Sequence, residues 1–163
     1  KEVGYMMDVE YIHPKDDKKR RKIDLATDAI YFEEGYLTPT QINLIFKYLP
    51  IDITYVDEND KVIFYNNGDE RIFPRSPGII GREVKFCHPP KSVDNVLKIL
   101  EEFKQGSKDN AEFWINFKDS FIHIRFFAIR DKDRNYKGVM EITQNVSDIK
   151  ALEGERRILD WQG

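Results

Sequence analysis

The chain has 163 residues, of which 40% are hydrophobic and 34% charged, enough for one core beneath a well-solvated surface. Its formal net charge of −3 argues against a nucleic-acid partner, and its one cysteine excludes an intramolecular disulfide. No apolar run approaches the roughly 18 residues that span a bilayer, and no signal peptide is visible. We therefore expect a cytoplasmic protein without a membrane segment, and a start at Lys1 rather than Met predicts a fragment of a longer chain.

The first 37 residues carry the weakest structural signals, and we expect a linker or a helical extension there. A basic stretch at residues 15–22 is best interpreted as a solvated helix face or linker, with contact to an acidic partner as the alternative. A helix then begins, because Thr38 can cap free amides, Pro39 suits the first turn and Gln41 completes a capping box. Four apolar side chains share one face before Pro50 ends this helix: Ile42, Ile45, Phe46 and Leu49.

The remaining elements follow in a simple order. Alternating apolar residues predict a strand over 51–56, a turn over 57–60 and a returning strand over 61–65. Prolines and glycines predict an irregular segment over 69–90, and apolar spacing predicts a helix over Lys91–Gln105. Three further strands are predicted, with turns at 118–120 and 131–137: Ala111–Phe117, Phe121–Arg130 and Gly138–Gln144. This order predicts an α+β fold, a five-stranded antiparallel sheet with helices on one face.

Residues 148–163 are predicted to form a C-terminal signalling and dimerisation helix. Ile149, Leu152 and Leu159 follow a weak heptad that Gly154 interrupts. Together with the helix at 38–49 and the outer sheet face, this seam predicts a homodimer, because two-fold symmetric association is the commonest way to cover such surfaces.

Four short motifs occur in order along the central part of the chain. They are ITYVD with Asn59 in the first hairpin (53–59), IIGREV before the long helix (79–84), AIRD at a strand end (128–131) and TQNVS closing the sheet (143–147). In this order and spacing they resemble PAS domains, where the last motif usually reads Asp-Ile-Thr. The resemblance implies a PAS domain over 38–147 with terminal extensions at 1–37 and 148–163.

Longer runs resemble a narrower PAS-like group of bacteria and archaea. These runs are LPIDI (49–53), ERIFPR (70–75), CHPPKSV (87–93) and AEFWINF (111–117). Members of that group often follow a domain of unknown function and a hemerythrin-like domain. The resemblance therefore implies the sensory end of a longer protein, with a hemerythrin-like domain as a partner in the same chain.

The register of the sheet predicts which side chains face the interior. Anchoring it on the Arg130-Asp131 motif, as in PAS domains, places Ile122, Ile124 and Phe126 inward and turns His123 and Arg125 outward. The outward pair is interpreted as part of a wet, ion-paired face, with an anion-binding pocket as the alternative. The same reasoning places Trp114 and Asn116 inward. We expect an aromatic-lined cavity for a small, unidentified molecule, bordered by Phe103, Trp114, Asn116, Ile122, Ile124 and Phe126.

His88 and Cys87 are the residues with the most reactive chemistry. His88 lies where haem-binding PAS domains supply their proximal histidine, although His-Pro-Pro also simply begins a helix. Cys87 is a candidate redox thiol or metal ligand, or a small core residue. In light-sensing PAS relatives a reactive cysteine follows Gly-Arg-Asn directly. Here Val84 follows Gly81-Arg82-Glu83, so no flavin–cysteine adduct is expected.

Three functions follow from these residues. The first is a non-enzymatic sensory module that binds a small ligand and relays the change through its terminal helices. The second is a haem or metal sensor that uses His88, and the third is a dimerisation module with a filled core. No catalytic triad, phosphate-binding glycine loop or kinase motif occurs in the sequence, and surface pairing is the expectation for Glu70, Arg71 and Arg75.

Overall fold

The computed structural model describes residues 28–69 and 71–156, and the chain divides into two units between residues 41 and 42. In the first unit, β1 (Ile30–Tyr31) and β2 (Tyr36–Leu37) form a short antiparallel hairpin. The expectation of a helical extension is therefore wrong for residues 30–37, and the rest of that expectation, residues 1–27, lies outside the described residues. The hairpin forms because Gly35 adopts a positive φ of 83° that turns the chain.

Helix α1 (Pro39–Tyr48) begins at the predicted capping box. The Thr38 amide donates to Gln41 Oε1 at 2.9 Å, and the Gln41 amide donates to Thr38 Oγ1 at 3.2 Å. Both bonds satisfy amides that have no partner inside the helix, so the reciprocal cap confirms the predicted start.

The second unit contains the predicted five-stranded antiparallel sheet, with spatial order β4-β3-β7-β6-β5. Its strands are β3 (Asp52–Asp57), β4 (Val62–Tyr65), β5 (Asn110–Phe117), β6 (Ser120–Arg130) and β7 (Tyr136–Asn145). Two short 3₁₀ helices (Pro77–Ile79 and Val84–Phe86) and helix α2 (Pro90–Gln105) connect the β3–β4 hairpin to the other three strands. The predicted α+β class and element order are confirmed.

The core lies between α2 and the inner face of the sheet. Ten side chains are buried there: Val56, Val62, Val84, Val96, Leu100, Phe103, Ile122, Ile124, Phe126 and Val139. The inward orientation predicted for Ile122, Ile124 and Phe126 is confirmed. Helix α2 ends at Gly106, whose φ of 76° is the left-handed conformation that glycine adopts without strain.

Trp114 and Asn116 face outward, which corrects the predicted register of β5. Trp114 pairs with His123 on the outer face, and Asn116 pairs with Phe121. The turn holds two residues, Lys118 and Asp119, both with positive φ, whereas a three-residue turn would have brought Trp114 opposite Ile124. Because side chains alternate between faces, this slip of one residue turns every side chain of β5 over. The inward positions belong instead to Ala111, Phe113, Ile115 and Phe117.

Within the described residues 148–156, the predicted C-terminal helix extends only to Lys150, and residues 157–163 lie outside the described residues. Helix α3 spans Ser147–Lys150, and residues 151–156 are not helical. Gly154 has a φ of 66°, which lies outside the right-handed helical region. Ile149 and Leu152 therefore do not share one continuous helix, and Leu159 lies outside the described residues.

Candidate ligand cavity

A cavity of about 910 Å³ lies between α2 and the inner face of β5 and β6. Its wall is mainly apolar, and the larger apolar side chains that line it are Phe73, Val96, Ile99, Phe103, Phe113, Ile115, Ile124 and Phe126. Four of these are phenylalanines, because the alternate positions of β5 and β6 and one face of α2 all supply large side chains at this place. A volume of this size falls within the range of about 300–1,000 Å³ that small-molecule sites occupy.

Six residues were expected to border such a cavity, and the structure separates them into three groups. Phe103, Ile124 and Phe126 are among the residues that line it. Trp114 is part of the lining, but its position opposite His123 directs its side chain to the outer face, where it is 60% exposed.

Ile122 and Asn116 are not among the lining residues. Ile122 is 1% exposed within the core, and Asn116 lies on the outer face of β5. Phe113 and Ile115 face inward on β5, where the predicted register had placed Trp114 and Asn116.

Cys87 and His88 also line the cavity, at the end of the second 3₁₀ helix and just before α2. The Cys87 thiol lies 3.6 Å from the Glu83 carbonyl oxygen, and the residue packs against the core. Burial lowers the pKa of His88 below its ordinary value; Glu141 opposes this shift, while Arg75 adds to it. This shift favours the neutral imidazole, the form that binds metals or donates one hydrogen bond.

Arg75, Glu141 and His88 form a buried polar corner of the cavity. Arg75 Nη2 lies 3.5 Å from Glu141 Oε2, and the two side chains are only 11% and 12% exposed. Glu141 lies on the inner face because it pairs with Phe126 on one side and Thr54 on the other. A buried ion pair in a mainly apolar cavity is costly to desolvate, which makes this corner a candidate site.

A second polar cluster supports the segment that carries Arg75. The Arg71 guanidinium donates to the Asn66 and Phe73 carbonyl oxygens and to Thr54 Oγ1, at 2.7–3.1 Å. Asp52 lies 3.9 Å from Arg71 and accepts a hydrogen bond from the Ile72 amide at 2.8 Å. These contacts hold residues 71–73 against β3, so the position of Arg75 two residues later is determined by buried hydrogen bonds.

Surface pairing was the expectation for Arg71 and Arg75, and the structure shows that both are buried partners of sheet carboxylates. Glu70 lies outside the described residues. A signal for this site exists in the sequence, because Glu141 stands two residues after Val139 and two before Thr143. In a strand, that spacing places a carboxylate on the buried face, where it requires a cation.

His123 and Arg125 lie on the outer face, as predicted. His123 Nε2 is 2.8 Å from Glu112 Oε2, and Glu112 also pairs across the strands with Arg125. The ion-paired face is therefore the interpretation that the structure supports.

Two negative findings apply to residues 28–69 and 71–156. No helix in these ranges has both the length and the apolar character that crossing a membrane requires. In the same ranges, no three His, Cys, Asp or Glu side chains come together as they would around a metal ion.

Comparisons with known proteins agree with this architecture. A family model described as PAS domain matches residues 42–147. A C-terminal domain from Streptococcus mutans is 34% identical, with a TM-score of 0.71, and the match covers 77% of this chain and 97% of that one. A PAS domain from Colwellia psychrerythraea is 20% identical, with a TM-score of 0.49 and coverage of 67% and 97%. A sensory box sensor histidine kinase from Vibrio cholerae is 11% identical, with a TM-score of 0.49 and coverage of 65% and 89%. No curated protein sequence matches the chain.

Proposed function

The chain belongs to the PAS domain family, and we propose that it is a sensory module whose cavity binds a small organic ligand. The observation that supports this most directly is the cavity of about 910 Å³, with its mainly apolar wall and its buried polar corner. Apolar walls supply affinity, while a few converging polar groups orient the ligand and provide specificity. PAS domains are generally sensory rather than catalytic, so a regulatory role fits this chain better than an enzymatic one.

The strand that carries Glu141 also supplies a route for the signal. β7 extends from the cavity to Asn145, two residues before α3 begins. The Phe121 amide donates to Ser147 Oγ at 2.8 Å, and the Val146 amide donates to the Phe121 carbonyl oxygen at 2.9 Å. A ligand that moves Glu141 would therefore shift α3 through one continuous strand and its hydrogen bonds to β6, which is the relay we propose.

Filling the cavity tests the binding function. The substitution Ile99→Trp places a large ring in the cavity wall, so we expect it to abolish the binding of any small molecule that copurifies with the wild-type protein. Leu97→Trp is the matched control, because Leu97 lies on the same helix, is 37% exposed and is not part of the lining. The measurement is mass spectrometry of the denatured and native protein, with circular dichroism to verify folding. Equal ligand occupancy in both tryptophan variants would contradict the proposal.

A haem-dependent sensor is the second candidate, and the position of His88 in the cavity wall favours it. His88 would hold the iron, and haem would supply gas binding or electron transfer. Absorbance of the purified protein distinguishes the two candidates. A Soret band that disappears in His88→Ala would favour haem, whereas an organic ligand without that band would favour the first candidate.

Three features of the wider protein remain predictions. A hemerythrin-like domain in the same longer chain would place this sensory module beside a second sensor. Homodimer formation would let two copies transmit the change together, and a cytoplasmic location would fit the one unpaired cysteine.

A further inference from the structure

Arg75 has unused hydrogen-bonding capacity at the polar corner of the cavity. Its Nε–H is buried and has no hydrogen-bond partner among the described residues. Its ion pair with Glu141 measures 3.5 Å, longer than the 2.7–2.9 Å that is usual for a charge-assisted hydrogen bond. A guanidinium presents five N–H donors in a planar fork, so a buried one with a single loose partner is ready to bind another acceptor.

The neighbouring groups do not supply that acceptor. Glu141 already accepts a hydrogen bond from Thr143 Oγ1 at 3.2 Å through its other oxygen, Oε1. A molecule inside the cavity, which Arg75 lines, is in position to supply the missing acceptor.

We infer that the ligand is an amphipathic monocarboxylate, with its carboxylate on Arg75 and its apolar body along Phe103, Ile124 and Phe126. The inference rests on the proposed function, since it names the class of ligand that the cavity takes. The planar fork of Arg75 matches the two oxygens of a carboxylate. The aromatic and aliphatic side chains of the wall match an apolar body, since the surface that they present to the cavity is mainly apolar.

The charges of Arg75 and Glu141 favour a ligand with one negative charge over a ligand with two. Glu141 remains 3.5 Å from Arg75 and repels any anion that approaches the same guanidinium. A doubly charged phosphate doubles both its attraction to Arg75 and its repulsion from Glu141, but it costs much more to desolvate in a mainly apolar cavity, so a single charge is favoured. A neutral alcohol is not repelled by Glu141. It accepts a hydrogen bond from only one N–H donor of Arg75, however, so the other donors of this cation remain without a partner.

The experiment compares two probes with the same apolar body, 4-phenylbutyrate and 4-phenylbutan-1-ol. In isothermal titration calorimetry with the folded protein, we expect the Kd of the carboxylate to be about tenfold lower than that of the alcohol. The reason is that the carboxylate accepts a second charged hydrogen bond from Arg75. Arg75→Gln should remove this preference, because it eliminates the charge and the fork. Glu141→Gln should strengthen carboxylate binding, because it removes the repelling charge.

Lys98→Gln is the matched control, since it also removes one positive charge from the cavity lining but not at the polar corner. It should leave the carboxylate preference in place, and circular dichroism should show native folding in all three variants. Equal Kd values for the two probes in the wild type would overturn the inference while leaving cavity binding intact. A loss of carboxylate binding in both Arg75→Gln and Glu141→Gln would also overturn it. If neither probe binds the folded wild type, the inference and the proposed function both fail.

Discussion

Replacing Gly138 with alanine is expected to lower the free energy of unfolding by about 4 kcal/mol, through backbone strain and overpacking together. An added Cβ at this position would lie 2.1 Å from the Val56 carbonyl oxygen and 3.1 Å from the Asp57 Cα, and neither backbone atom can move independently of its strand. Gly138 also has a φ of 133°, which side-chain-bearing residues rarely adopt. Urea denaturation followed by circular dichroism measures the effect.

Gly106→Ala is the control for Gly138. Gly106 also has a positive φ, 76°, but an added Cβ there would meet no atom within 4 Å. Its substitution should cost about 1 kcal/mol, the strain of the left-handed conformation alone. If the two alanine variants lose the same stability, the close approach of β7 to β3 is not what requires glycine at position 138.

The second large effect is expected from Arg71→Met, which removes the cation from the buried cluster at β3. We expect the free energy of unfolding to fall by about 3–5 kcal/mol, because Asp52 and two backbone carbonyl oxygens remain buried without their partner. Arg134→Met is the matched control, because Arg134 is 76% exposed and bonds to Asp109 at the surface. That substitution should cost at most about 1 kcal/mol. Equal losses from the two substitutions would show that the Arg71 cluster does not stabilise the sheet.

The unfolding free energy that Arg71→Met loses should also depend on pH, because the Asp52 carboxyl group titrates. Burial raises the pKa of Asp52 above its ordinary value, against the opposing effects of the Ile72 amide and the Arg71 charge. The folded state therefore holds this proton more tightly than the unfolded state. The stability that Asp52 contributes is fully present below its ordinary pKa of 3.8 and is lost as the pH rises through the folded value.

Removing Arg71 raises the pKa of Asp52 further, because an opposite charge no longer favours the carboxylate. The difference in unfolding free energy between wild type and Arg71→Met should therefore shrink as the pH falls from 7 towards 4. The double variant Asp52→Asn with Arg71→Met has no carboxylate at this site, so its loss should be smaller and nearly constant over that range. If the difference in unfolding free energy between wild type and Arg71→Met grows as the pH falls, Asp52 is not the group that the substitution leaves unpaired.

Local signals in the sequence determined the elements of this fold. The capping box at Thr38, the alternation over 51–56 and the apolar spacing of α2 each act within a few residues, so they predicted the element order and the fold class. The apolar spacing of α2 also predicted Phe103 on its apolar face, and the Arg130-Asp131 motif, through the resemblance to PAS domains, oriented Ile124 and Phe126 inward on β6. The resemblance to PAS domains drew attention to His88, and its role as a haem ligand stays a prediction.

Only the tertiary structure decided which face of β5 meets the cavity and which charges lie buried. The register of β5 depends on whether the turn before β6 holds two or three residues, and Lys118 and Asp119 carry no Asn-Gly or Asp-Gly signature of a two-residue turn. The polar corner depends on a distant pairing, because Arg75 and Glu141 are 66 positions apart and meet only when residues 71–75 fold over the sheet. Charges attract across space rather than along the chain, so the residues that distinguish this cavity had no local signal strong enough to find them.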